Sequence, residues 1–318
     1  MTGLVRTVLM CAASAAMLLG ASARVTAKPP TRPVRLASSD DLAVQVLLDR
    51  SGFSPGEIDG TAGQNTRKAL AAFEAARGLT AGVAGRKAAL DALGAGTVET
   101  TASYTITADD TAGPFAEASV EDMAEKAKLP GLYYASVLEA LGEKFHSAPA
   151  LLRRLNPHAR FGAGEQIRVP NVSSPEHGAP VRLAKIVVSK KTSALTAYDA
   201  KGQVVFYAPV TSGSEHDSLP LGNWEVTSVA RNPTYQYNPD LFWDADPANA
   251  KATLPAGPNS PVGVVWIDIN KPHYGIHGTP EPGRIGYSAS HGCVRLTNWD
   301  ASALAGLVTR GTPVVFEE

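Results

Sequence analysis

The residues best equipped for chemistry sit together near the C-terminus. His277-Gly278 is followed by a loop containing Pro280, Pro282, Gly283 and Gly286, and then by Ser290-His291-Gly292-Cys293-Val294-Arg295-Leu296. A thiol with an ordinary pKa of about 8.5 is barely ionised at neutral pH, so a cysteine that attacks needs a base or a positive neighbour. His277 and His291 both lie within 16 residues of Cys293, and the glycines and prolines between them allow the loop to fold back. If the chain is extended after Gly292, Cys293 and Arg295 share one face while Val294 and Leu296 point into a core. Arg295 would then grip a substrate carboxylate beside the sulfur, its alternative being a salt bridge to an acidic neighbour. Gly292 gives a carbonyl close access to the backbone, where the Gly292 and Cys293 amides could stabilise an oxyanion. His273, His277, His291 and Cys293 also contain zinc-ligand types. Gly275, Gly278 and Pro280 argue against the helix that an H-x3-H pair would need, so no metal and no cofactor are expected.

The chain has only two cysteines, Cys11 and Cys293. Arg6, the apolar run 8–20 and Ala21-Ser22-Ala23 have the order of a secretory signal, so residues 1–23 read as a signal peptide cleaved near Ala23, with Ala27 as the competing site. The run is too short to span a bilayer, so no stable membrane insertion is expected after processing. Cleavage leaves Cys293 without a partner, and a lone thiol in an exported protein invites a specific explanation, the bland one being a small buried apolar side chain. Removing Arg6 leaves 28 basic against 30 acidic residues, a net charge of -2, which gives no field to attract a polyanion and makes nucleic acid an unpromising partner. Hydrophobic residues at 44% and charged residues at 19% provide for real cores and exclude a mainly disordered chain.

Three folded parts must position the motif, giving an α+β multidomain protein. Residues 24–38, with Pro29, Pro30 and Pro33, read as a flexible linker. Residues 39–93 have helical spacing, with Val44, Leu47 and Leu48 on one face and an Asp59-Gly60 turn, and form a small helical bundle. A Gly- and Thr-rich linker, 94–103, leads to a small α/β unit, 104–172. It begins with a strand at 104–107, carries the apolar stripe Val137, Leu138, Leu141 and Phe145, and has a helix from Pro149 to Leu155 before a returning strand at 166–169. After the turn-rich stretch 173–180, residues 181–318 are β-rich, a sandwich or barrel-like domain with strands expected at 185–189, 194–198, 204–210, 222–230 and 262–269. Thr297 or Asn298 caps a helix ending near Gly311, and 312–316 is the last strand. Trp266 in the run Val264-Val265-Trp266-Ile267 reads as core, and His146, His158, His177 and His216 as exposed or turn residues. Residues 231–260, with five prolines and four aromatics, form a long loop without regular structure, read as a lid facing the substrate or as a surface insertion pinned by its aromatics.

The run from His277-Gly278-Thr279 through Ser290-His291-Gly292-Cys293-Val294-Arg295, with the strands before it, resembles the L,D-transpeptidase catalytic family, also called YkuD-type, over about residues 184–316. The resemblance implies that Cys293 attacks a peptidoglycan tetrapeptide stem at the bond between the L-centre of diaminopimelate and D-alanine. D-Alanine leaves, and the resulting thioester passes to a diaminopimelate amine of a neighbouring stem, or in some members to a lipoprotein lysine. Water as acceptor would make the protein an L,D-carboxypeptidase, and loss of activity would leave a peptidoglycan-binding protein. The family implies His277 as base, with His291 as the competing imidazole that orients the thiol or helps bind substrate. Ser290, Gly292 and Arg295 complete the motif on the substrate side. Gln45, Leu48, Gly52-Phe53, Asp59-Gly60, Asn65 through Ala69, Phe73 and Gly78-Leu79 resemble a peptidoglycan-binding module. Leu151 through Pro157, with Gly164, Ile167 and Val169-Pro170, resembles the second half of a LysM sugar-binding module. Together these imply a periplasmic enzyme acting on peptidoglycan stem peptides and glycan.

Overall fold

Helices α1 (Ser39–Arg50), α2 (Gln64–Ala76) and α3 (Val83–Ala92) follow the spacing of their apolar residues. The computed structural model describes residues 39–80, 83–116, 120–172, 182–246 and 248–318. The expected signal peptide 1–23, linker 24–38 and turn-rich stretch 173–180 lie outside them. Val44, Leu47, Leu48, Phe53, Leu70 and Phe73 bury one core, with Phe53 edge-on to Phe73 at 5.3 Å. The Asp59-Gly60 turn is held by the buried amide of Gln45, which donates to Asp59 at 2.9 Å and accepts from the Gly60 N–H at 2.8 Å. The same core takes in Ala194 and Tyr207 from the C-terminal domain, and Phe53 forms a parallel bridge to Tyr207. Burial of shared apolar surface therefore joins this bundle to the domain that carries Cys293.

In the middle unit, β1 (Thr101–Thr105) pairs antiparallel with β2 (Gln166–Pro170). Between them run α4 (Ala108–Thr111), α5 (Met123–Lys126), α6 (Val137–Lys144) and α7 (Pro149–Leu155). β1 begins at Thr101, inside the stretch expected as linker, because the ladder to β2 continues as far as Pro170. Ile106, Leu138, Leu141, Leu152 and Ile167 fill its core. The chain between α4 and α6 packs against the C-terminal domain. Leu132 donates its N–H to Ala256 and accepts from Asn259, both at 3.0 Å. Its side chain is buried with Tyr237 and Leu254.

The C-terminal domain contains β3 (Leu183–Ser189), β4 (Ala194–Asp199), β5 (Val204–Pro209), β6 (Thr211–Ser212) and β7 (Gly222–Arg231). These are followed by β8 (Tyr235–Tyr237), β9 (Ala252–Leu254), β10 (Val265–Ile269), β11 (Gly275–His277), β12 (Val294–Arg295), α8 (Asn298–Leu307) and β13 (Pro313–Glu317). One sheet has the order β5-β4-β3-β13-β7-β10-β11-β12-β6. Its two edge strands, β5 and β6, are separated in sequence by Val210 alone, so the sheet curls back toward itself. Phe206 from one end and Val294 from the other meet in one core with Ile186, Ile267 and Leu304. Thr297 caps α8 by accepting from the Asp300 N–H at 3.1 Å, and the helix stops at Leu307, short of Gly311. The 231–260 segment differs from expectation, since β8 and β9 pair as a short hairpin within it. Three-residue strands among prolines leave little periodicity to read.

Candidate active site

The site is built on three neighbouring strands. β10 and β11 run antiparallel, placing Trp266 across from His277, and β11 and β12 run parallel, placing His277 across from Arg295 and Ile276 across from Val294. Ile276 and Val294 are completely buried in the core, so the alternation of a strand puts His277, Arg295 and Cys293 on the opposite face. Gly275 has no side chain, and a Cβ there would lie 2.5 Å from the Trp266 ring. That space lets the indole lie over the strand and stack on His277, with centroids 5.3 Å apart and planes at 17°. Trp266 is therefore not the core residue its apolar neighbours suggested. Its Nε1 donates to Asp268 at 3.3 Å, and Thr227 donates to the same carboxylate at 2.6 Å.

Cys293 enters β12 from a tight turn. Ser290 is buried, its hydroxyl donating to the Cys293 carbonyl and accepting from the Gly213 N–H, both at 2.7 Å. Gly292 has φ +99, and a Cβ there would come within 2.5 Å of the Tyr274 ring, so both the backbone and the contact call for glycine. Among the described residues, neither the Gly292 nor the Cys293 amide has a backbone acceptor. The half-buried thiol lies 3.7 Å from the His273 carbonyl. Burial pushes the Cys293 pKa up, while a hydrogen bond from the Gly275 amide and the charge of Arg295 act against that rise.

His277 is buried, and its Nδ1 lies 2.7 Å from the Gly278 carbonyl. A carbonyl can only accept, so Nδ1 carries the proton and Nε2 keeps a lone pair. Burial, and secondarily the Arg295 guanidinium, push the imidazole down to about 3. Burial thus favours the neutral form of both the thiol and the imidazole. His291 is placed differently. Its Nε2 bonds Asp244 at 2.8 Å and its ring packs edge-on against Phe242 at 4.9 Å, tying the motif to the 231–260 segment.

Arg295 is half-buried and makes no ion pair among the described residues, and its buried Nε has no partner. The expected alternative, a structural salt bridge, is not what the arginine does. Two tyrosines escaped the sequence reading. Tyr235 is pushed up to about 12 by burial and then by Cys293, and Tyr274 is raised by burial, Cys293 and Asp217. The aromatic richness of 231–260 signalled the first, and nothing in the sequence signalled the second. His146, read as exposed or in a turn, does lie in a turn, with φ +53, and is half-buried there, stacked on Trp299 at 5.1 Å and bonded to Asp49 at 3.0 Å.

The catalytic-domain profile of the L,D-transpeptidases, YkuD, matches residues 184–316, and a peptidoglycan binding domain profile matches residues 38–93. YkuD of Bacillus licheniformis is 31% identical over 180 residues, 56% of this chain and 91% of its own length. The chain belongs to the YkuD L,D-transpeptidase family. YkuD of Bacillus subtilis is 28% identical over 56% of this chain and 91% of its own length. YbiS of Escherichia coli K12 is 33% identical over 41% of this chain and 44% of its own length. The strands and turn described above lie inside the matched catalytic domain of this L,D-transpeptidase, and its bundle α1–α3 lies inside the matched peptidoglycan binding domain. The family and the second domain together imply a peptidoglycan substrate for the enzyme.

Proposed function

We propose that the protein is an exported, periplasmic enzyme that cross-links peptidoglycan through a thioester on Cys293. The observation that carries the reading is the shared face of Cys293 and Arg295, with His277 directly across from Arg295. A tetrapeptide stem binds with its terminal carboxylate on the guanidinium, the geometry a planar fork favours. That negative charge offsets the push of Arg295 on the imidazole, so substrate itself raises the basicity of His277. Nε2 takes the thiol proton as Sγ attacks the carbonyl of the diaminopimelate L-centre. The Gly292 and Cys293 amides, free of backbone acceptors, are suited to hold the oxyanion. His277 returns the proton to the D-alanine nitrogen as the C–N bond breaks, leaving a thioester. An amine of a second diaminopimelate attacks the thioester, gives up a proton to His277, and the thiol is restored.

Tyr235 and Tyr274 lie near enough to Cys293 to feel its charge, and the His291–Asp244 hydrogen bond ties the motif to the 231–260 segment. The two strands and intervening helices of the middle unit support the reading of a LysM-like, glycan-contacting module. The test is product analysis after incubation with tetrapeptide muropeptides. The reading requires cross-linked dimers and free D-alanine, both lost in Cys293→Ala. Tripeptides alone would instead make the enzyme a carboxypeptidase, and unchanged muropeptides would leave only binding.

A further inference from the structure

Because Thr297 caps α8, the side chain of Asn298, the first residue of that helix, is left for other partners. It is 2% exposed, and its amide works in two directions. Oδ1 accepts from the Val264 N–H and Nδ2 donates to the Pro258 carbonyl, both at 3.1 Å. One side chain thus ties the end of the 231–260 segment to the chain that enters β10. The same side chain reaches the middle unit, where its hydrogen bond to Glu143 of α6 opposes the rise that burial imposes on that carboxyl.

Two bare backbone positions bring Asn298 against the residue that follows the catalytic histidine. A Cβ on Gly278 or on Gly263 would overlap Oδ1 of Asn298, and one on Gly263 would also lie 2.7 Å from the Gly278 carbonyl carbon. Gly278 is therefore packed between Gly263 and Asn298, with its N–H donating to the Val265 carbonyl at 3.2 Å. The wedge matters because the Gly278 carbonyl lies 2.7 Å from Nδ1 of His277. A peptide free to turn would take that carbonyl away. A buried N–H without an acceptor costs free energy, so the imidazole proton would move toward Nε2, which would then have no lone pair to take the thiol proton.

We propose that Asn298 is a positioning residue for the transfer reaction: wedged against Gly278, it fixes the carbonyl that keeps the His277 proton on Nδ1 and leaves Nε2 free to act as base. The inference rests on His277 as the base of the reaction proposed above and deepens it. It places part of the base's support outside the segment that runs from His277 to Arg295.

The test reads the proton directly, in the full chain labelled with nitrogen isotope at histidine. Long-range proton–nitrogen spectra distinguish the two tautomers of a neutral imidazole, and the His277 signals are assigned by their loss in His277→Gln. At neutral pH the wild-type protein should show Nδ1–H. Asn298→Ala should shift the population toward Nε2–H and lower kcat for transfer roughly 10²-fold with KM little changed. Gly278→Ala strikes the same contact from the other side and should shift the proton likewise. In the double variant the added methyl enters the space left by the amide, so its spectrum should lie closer to wild type than that of Gly278→Ala, and this comparison still decides should Asn298→Ala alone fold poorly. Leu152→Ala opens a cavity in the core of the middle unit and controls for lost stability; it should leave the tautomer unchanged. An Nδ1–H signal that persists in both single variants, an equal shift in Leu152→Ala, or a double variant no closer to wild type than Gly278→Ala would overturn the inference. Failure of the transfer reaction would show separately, as unchanged muropeptides with the wild-type protein, while the spectra still decide whether Asn298 holds the proton in place.

Discussion

His277 and Arg295 face each other across the parallel β11–β12 pair, and the guanidinium joins burial in keeping that imidazole neutral. The same positive charge favours the Cys293 thiolate. Arg295→Gln should therefore move two groups upward together, making His277 easier to protonate and the thiol harder to ionise. Iodoacetamide alkylation of Cys293 followed against pH reads the second effect, with thiolate at neutral pH falling roughly tenfold for each unit of upward shift. In the wild-type protein the alkylation midpoint should lie above that of an ordinary thiol, since burial outweighs the Gly275 amide and Arg295.

The two motif histidines should separate in kinetics. His277→Gln removes the proposed base and should lower the acylation rate by about 10²–10⁴. His291→Gln should cost less and should resemble Asp244→Asn, because the two side chains share one hydrogen bond at 2.8 Å. Acylation rates in a double-mutant cycle should show strong non-additivity for His291 with Asp244.

Asp300 creates a pH-dependent junction between the three parts of the chain. Ser54 and Thr297 donate to its carboxylate at 2.9 and 2.7 Å, Asp49 bears on it from α1, and His146, which Glu143 of α6 also faces, is the nearby cation. Burial foremost pushes both Asp300 and Glu143 up to about 7. The folded state thus holds protons that the unfolded state releases near its ordinary carboxylate value. This contribution is complete below that value and is lost as pH rises toward about 7. Burial opposes the protonation of His146, but Asp49 raises its pKa overall, which adds a loss of the same sign at somewhat higher pH. Calorimetry should give a higher Tm at about pH 5 than at about pH 8, with a flatter profile in Asp300→Asn. A Tm that climbs over this interval would contradict the assignment.

The segment 231–260 depends on the middle unit for its shape. Leu254 is fully buried against Leu132 and Tyr237, and Leu254→Ala should destabilise the protein by about 2–5 kcal/mol. Limited proteolysis should then cut within 231–260 before the rest of the chain.

Much of this was legible in the sequence because it depends on local rules. The helical spacing of Val44, Leu47 and Leu48, the capping role of Thr297, and the alternation from Cys293 to Leu296 each follow from one short stretch of residues. The rest depends on neighbours far along the chain. Trp266 looked like core because Val265 and Ile267 flank it, and only Gly275 on the next strand leaves the space that turns it toward His277. The turn at His146 was legible, but its packing was not, because its partners, Asp49 and Trp299, come from two other parts of the molecule. The packing of Leu132 against Tyr237 and Leu254 had no local signal, since neither segment has a strong period of its own.

Intact-protein mass spectrometry during turnover of a peptidoglycan tetrapeptide shows whether the sulfur of Cys293 carries the acyl group. A transient adduct equal to the tetrapeptide less its terminal D-alanine should form, located on the peptide containing Cys293 and absent from Cys293→Ala. An adduct that persists in Cys293→Ala, or cross-linked product formed by that variant, would contradict it.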